Sequence, residues 1–193
     1  MTLERRSSKS LVLALLILLV EIAAVVVLTT APLDKLIGPG VHSIRGALHG
    51  LFAGIVMITM TIGVFQGARL WSAERLRIED LEAGSLINVI ACLAAFVSGN
   101  FLLAPYRSAE GPREYFLANR PEVHRIFFEF KEFAGLLCLP LAVAACYIIW
   151  RSGERLQDYR PPREVAGLLL FLSFFYFMSA FALGAAITRL RPV

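Results

Sequence analysis

Five long apolar stretches, at residues 10–30, 42–68, 86–105, 123–150 and 165–189, constrain this chain more than any other feature. Each reaches the roughly 20 residues an α-helix needs to cross ~30 Å of hydrocarbon. No water is present in that layer, so backbone N–H and C=O groups must pair within their own segment. Nothing in the stretches alternates as a barrel strand does, and helices are the form that remains. The expectation is an all-α fold, residues 1–193 forming a single integral membrane domain, a bundle of five transmembrane helices. The first stretch comes after a basic start, Arg5 and Arg6, as in a signal peptide. It is too long for a signal h-region and carries Glu21, so it reads as a retained span.

Composition supports this class. Hydrophobic residues make up 58% of the 193, against roughly 45–50% in a soluble domain, and mean hydropathy is +0.69. The net charge of +4 reads as arginine-bearing connections at lipid headgroups and not as a nucleic-acid surface. Cys92, Cys138 and Cys146 all lie in apolar stretches, with no CxxC or zinc spacing; they read as small packing residues and not as structural disulfides. The connection 69–84 mixes Arg and Glu with Leu and Ile and is expected to form a short interfacial helix. Tyr115-Phe116-Leu117 are expected to lie against the headgroups as an amphipathic cap, and Pro161-Pro162 to stop a helix. Basic residues of alternate connections lean slightly toward a cytoplasmic N-terminus in a bacterial-type inner membrane.

Antiparallel threading brings certain span ends to one membrane face. That face collects His42, Arg45 and His49 from the second span, Asn100 and Tyr106 from the third, His124, Arg125, Glu129, Lys131 and Glu132 from the fourth, and Arg189 from the fifth. All three histidines are there. Glu21, His49 and Glu132 lie roughly 10–13 Å below that face at about 1.5 Å of rise per residue. Ionisable groups at such depth are costly, and each is a functional-site hypothesis. His42, Arg45 and His49 share one helical face, as do His124, Phe128 and Glu132. The expected picture has two layers: His42 with His124 outside, and Glu21, His49 and Glu132 below.

Three chemistries use such a cluster. Two histidines facing each other across a bundle ligate a b-type haem through neutral imidazoles, with Arg45, Arg125 or Arg189 on the propionates. The pairs His49–His124 and His42–His124 are the candidates for the iron. Alternatively, His49, Glu132 and Glu21 hydrogen-bond a quinone head group or relay protons, with Lys131 tuning them and Glu129 nearby. A third chemistry is a transition metal on His49, Glu129 and Glu132, although no His comes after a Glu at the three-residue spacing of carboxylate metal bundles. A bland reading competes at each residue: Arg125–Glu129 is a routine helical ion pair, and Lys131 neutralises a carboxylate. Gly46, Gly50 and Gly54 form a small-residue stripe, expected first of all to permit tight packing within the bundle.

With His49 and His124 as carriers and His42 as a spare, the chain broadly resembles small bacterial b-type membrane cytochromes. That resemblance rests on bundle architecture and no diagnostic motif. It implies a haem-binding electron-transfer subunit, with His49 and His124 as axial ligands, Arg45 and Arg125 on the propionates, and Glu21 and Glu132 serving protons or quinone. Many such cytochromes furnish ligand pairs on both sides of the membrane, whereas here one side is furnished. The alternative from another class is an accessory or assembly subunit of a larger membrane complex, its polar cluster an ion-pair network and its Phe-rich fifth span a partner contact. In either case the expected surroundings are the lipid bilayer and a membrane-complex partner or a second copy. No motif names a reaction.

Overall fold

A computed structural model describes Leu19 and residues 41–190, the side chains of the latter from residue 44 onward. The described chain is helical, without a strand. Helix α1 is Val41–Trp71, α2 is Ile78–Tyr106 and the short α3 is Pro112–Asn119. A π-helical turn, Val123–Phe128, leads into α4, Glu129–Ser152, and a 3-10 turn, Gly153–Leu156, connects to α5, Arg160–Leu190. Four of these segments are long and apolar enough to cross a membrane: Ile44–Trp71, Ile78–Tyr106, Val123–Leu156 and Arg160–Leu190. They match the second to fifth expected spans; the first expected span, residues 10–30, lies outside the described residues apart from Leu19.

Each long helix packs chiefly on two others. α1 lies against α2 and α5, and α4 lies against the same two, so α1 and α4 stand diagonally across an up-and-down bundle. The core has three tiers. At the end holding the N-terminus of α1, Tyr106, Phe116, Val123, Phe128 and Ile187 pack together. Val56, Met60, Cys92, Cys138 and Phe177 belong to the middle tier. Leu70, Ile78, Leu81, Ile149, Leu156 and Leu170 close the far end.

Several boundaries move from their sequence-based positions. The expected interfacial helix at 69–84 is absent: α1 continues to Trp71 and α2 starts at Ile78. Ile78, Leu81 and Ser85 are buried on one side, while Glu79 and Asp80 occupy the first turn, where the helix dipole favours acids. Pro161 and Pro162 sit in the first turn of α5, where their missing N–H groups have no intrahelical acceptor to lose. Phe116 is fully buried under the bundle end, in place of a headgroup position. The three cysteines are free thiols; Cys138 donates to the Ser173 carbonyl at 3.2 Å.

The glycine stripe is also placed differently. A Cβ at Gly46, Gly50 or Gly54 would meet nothing within 4 Å among the described residues. Close helix contact occurs farther along α1. A Cβ at Gly67 would stand 3.1 Å from the Gly167 carbonyl oxygen, and one at Gly167 would stand 3.0 Å from that of Gly67. Trp71 clamps the same junction of α1 and α5, its Nε1 donating to the Glu164 carbonyl at 2.9 Å.

Candidate functional site

The end of the bundle beside α3 holds the polar cluster. Tyr106, the last residue of α2, is 2% exposed, and His124, in the π turn, is 7% exposed. Their side chains bond at 2.9 Å between Tyr106 Oη and His124 Nδ1. Phe128 stacks on Tyr106 with ring centroids 4.0 Å apart and planes 6° off parallel. It also meets His124 at 5.6 Å. Lys131 Nζ stands 5.3 Å from the Phe128 centroid, and its Cε would lie 3.4 Å from a Cβ at Gly184. Gly184 of α5 thus gives the lysine stem its passage. Phe116, Val123 and Ile187 complete an apolar wall.

The π turn sets where the carboxylates go. It bonds i to i+5 and accommodates an extra residue, so the helix beyond it is rotated by roughly 100° relative to an unbroken α-helix. Glu129 Oε1 therefore comes to 3.9 Å from His124 Nε2, and no Arg125–Glu129 ion pair forms among the described residues. Threading predicts Glu129 within a buried set, whereas its side chain is 63% exposed. Glu132 turns to Arg107, just beyond α2, at 3.6 Å.

His49 lies separately, against the side of α2. Its Nδ1 is 3.2 Å from Ser98 Oγ, and a Cβ on Gly99 would be 3.1 Å from its Cε1, so the glycine leaves room for the ring. Arg45 is half-buried on α1 and Arg125 is exposed. His42 is in α1 by its backbone; its side chain, and Glu21 altogether, lie outside the described residues.

Hydrogen-bond partners set the tautomer each ring takes in its neutral form. Ser98 Oγ donates its proton to the Ala95 carbonyl at 3.0 Å, so it can only accept from His49. Nδ1 of His49 carries the proton and Nε2 keeps a lone pair. His124 is the opposite case. A carboxylate beyond Nε2 favours the proton on that atom, leaving Nδ1 to accept from the Tyr106 hydroxyl. The result is a chain Tyr106 O–H to Nδ1 of His124, and Nε2–H of His124 toward Glu129. At 3.9 Å the last contact is too long for a hydrogen bond, so the Nε2–H can take another acceptor.

Threading places Tyr106 on this face but gives it no role. Elsewhere in the interior, Asn88 Oδ1 and Ser173 Oγ are buried without a hydrogen-bond partner among the described residues. No group of three or more His, Cys, Asp or Glu side chains among the described residues is arranged to hold a metal ion. No protein-family model, curated protein or solved structure matches the chain.

Proposed function

We propose that this protein is a quinone-linked electron-transfer subunit of a membrane, with Tyr106, His124 and Glu129 as its proton-handling site. The observation that carries the reading is the buried Tyr106–His124 bond, with Nε2 of His124 left without a close acceptor among the described residues. A quinone head group offers two carbonyl acceptors and a flat apolar ring. One carbonyl accepts from His124 Nε2–H, and the ring lies among the aromatic side chains of this end. When a redox partner outside this chain supplies two electrons to the head group, its two oxygens take up two protons, one through His124 and the other from water. His124 gives one and recovers it from Tyr106 or from Glu129, whose exposed carboxylate exchanges protons with water. Ile126 and Phe127 of the π turn and Phe130 of α4 are exposed, which suits approach of an isoprenoid molecule from the bilayer.

A b-type haem is the second reading, and His49 favours it. An imidazole held at Nδ1 with its Nε2 lone pair free is in the ligating tautomer. His124 enters such a pair with His49 only by surrendering the lone pair it commits to Tyr106. His49 is therefore the stronger ligand candidate, and His42 or His124 the second.

One preparation tests both readings. The full chain, purified from native membranes, is analysed for extractable quinone and by oxidised and dithionite-reduced absorption spectra, and titrated with a short-chain quinone. We expect saturable quinone binding that weakens by about tenfold in His124→Gln, the loss of one good hydrogen bond at a desolvated site. Absence of both extracted quinone and binding overturns the quinone reading. A Soret band that disappears in His49→Ala, in a sample that remains folded, establishes haem on His49.

A further inference from the structure

The turn between α1 and α2, far from the Tyr106–His124 site, borders a half-open cleft of about 230 Å³ whose lining includes Gln66, Arg69, Arg75, Arg77, Asp80 and Leu81. Three arginines thus border one small space. Two are already engaged: Arg69 pairs with Glu74 at 2.8 Å, and Arg77 reaches Glu79 at 3.3 Å and Asp80 at 3.8 Å. Arg75 makes no ion pair among the described residues and is exposed, so its guanidinium donors are open. The N-terminus of the 29-residue α2 opens at the same place, with Arg77 as N-cap and no side-chain cap hydrogen bond. Its first N–H groups add donors and partial positive charge. The cleft lies where two apolar helices end, at the depth of lipid headgroups, and the buried Leu81 forms its inward wall.

From this arrangement we infer a binding site for a phosphate group, held by Arg75 with Arg69 and the α2 N-terminus. Guanidinium forks bind phosphate oxygens in paired hydrogen bonds. Asp80 opposes an anion but is itself drawn to Arg77, which leaves Arg75 as the open donor. Two sources carry the same chemistry at this depth: the phosphodiester of an anionic phospholipid and free phosphate. The site is independent of the quinone reading.

The test uses the full chain in nanodiscs of phosphatidylcholine, with and without phosphatidylglycerol, with retained lipid counted by native mass spectrometry after transfer to detergent. Wild type should retain phosphatidylglycerol over phosphatidylcholine. Arg75→Gln should lower that retention by about tenfold, the loss of one charge-assisted pair, while Arg75→Lys loses less. Arg151→Gln, an exposed arginine of another connection, should change nothing. In a phosphatidylcholine-only arm, inorganic phosphate is titrated by calorimetry; binding that is lost in Arg75→Gln assigns the site to free phosphate. Two results overturn the inference: no preference for either phosphate source, or equal loss in Arg75→Gln and Arg151→Gln, which reduces the effect to diffuse attraction. Circular dichroism and gel filtration of each variant keep misfolding apart from lost binding.

Discussion

Ala73 adopts a left-handed backbone, with φ at 57°, at the position after α1 where glycine is the usual residue. The backbone bonds Glu74 N–H to Arg69 O and Ala73 N–H to Leu70 O, at 3.0 and 3.1 Å, form the six-to-one and five-to-two pattern of a Schellman motif. A Cβ in that region costs roughly 1–2 kcal/mol, and glycine returns about 0.5–1 kcal/mol as added freedom of the unfolded chain. Ala73→Gly should therefore stabilise the protein by about 0.5–1 kcal/mol, read as a higher midpoint in detergent unfolding. A lower midpoint would show that alanine carries no strain there. The histidines and the face they share are legible in the sequence, since threading alone brings the ends of the spans together. The tautomers are not. Those depend on Ser98 bonding backward to Ala95 and on Tyr106 reaching His124, contacts that spacing within one helix cannot show.

At the level of helices, the strongest constraint is the α1–α5 crossing at Gly67 and Gly167. Gly167→Leu gains about 1 kcal/mol in helix propensity, but must displace the Gly67 carbonyl and the Trp71 ring, both 3.0 Å from the added Cβ. Overpacking of this kind costs about 1–3 kcal/mol. The expected net result is a lower unfolding midpoint, together with loss of the Trp71–Glu164 bond as a shift in tryptophan emission. An unchanged midpoint and emission would show that the helices separate freely there. Sequence spacing points to Gly46, Gly50 and Gly54 because they repeat every four residues. Among the described residues, close approach is made by single glycines on two helices distant in sequence, a pairing with no local period. The π turn is hidden for a similar reason: its extra residue leaves the apolar pattern of the fourth span intact.

For the molecule as a whole, hydropathy is enough to find the membrane-crossing segments, because hydrocarbon thickness sets their length. Their order around the bundle and the cap made by α3 are not legible, since Phe116 is one aromatic among many until its burial is known. The up-and-down arrangement makes a topological prediction. Cysteines introduced at Ser72 and Asp158 should react with a membrane-impermeant maleimide from one side of sealed vesicles, and a cysteine at Ser108 from the other. Labelling of all three from the same side would contradict four crossings by the described helices.

The π turn separates two requirements that a membrane helix usually meets together. The segment Val123–Leu156 has 34 residues, where about 20 suffice to cross. Length here is abundant, and losing one residue would leave insertion untouched. Phase is scarce: a single deletion between Val123 and Phe128 would remove the surplus residue and swing His124 away from its present bearing on α4. The same deletion nearer Ser152 would leave the Tyr106 end in place. In this span, side-chain placement is therefore more sensitive to counting than anchorage is, and a frame of one residue divides a helix that is merely long enough to cross from one that also holds His124 against Tyr106.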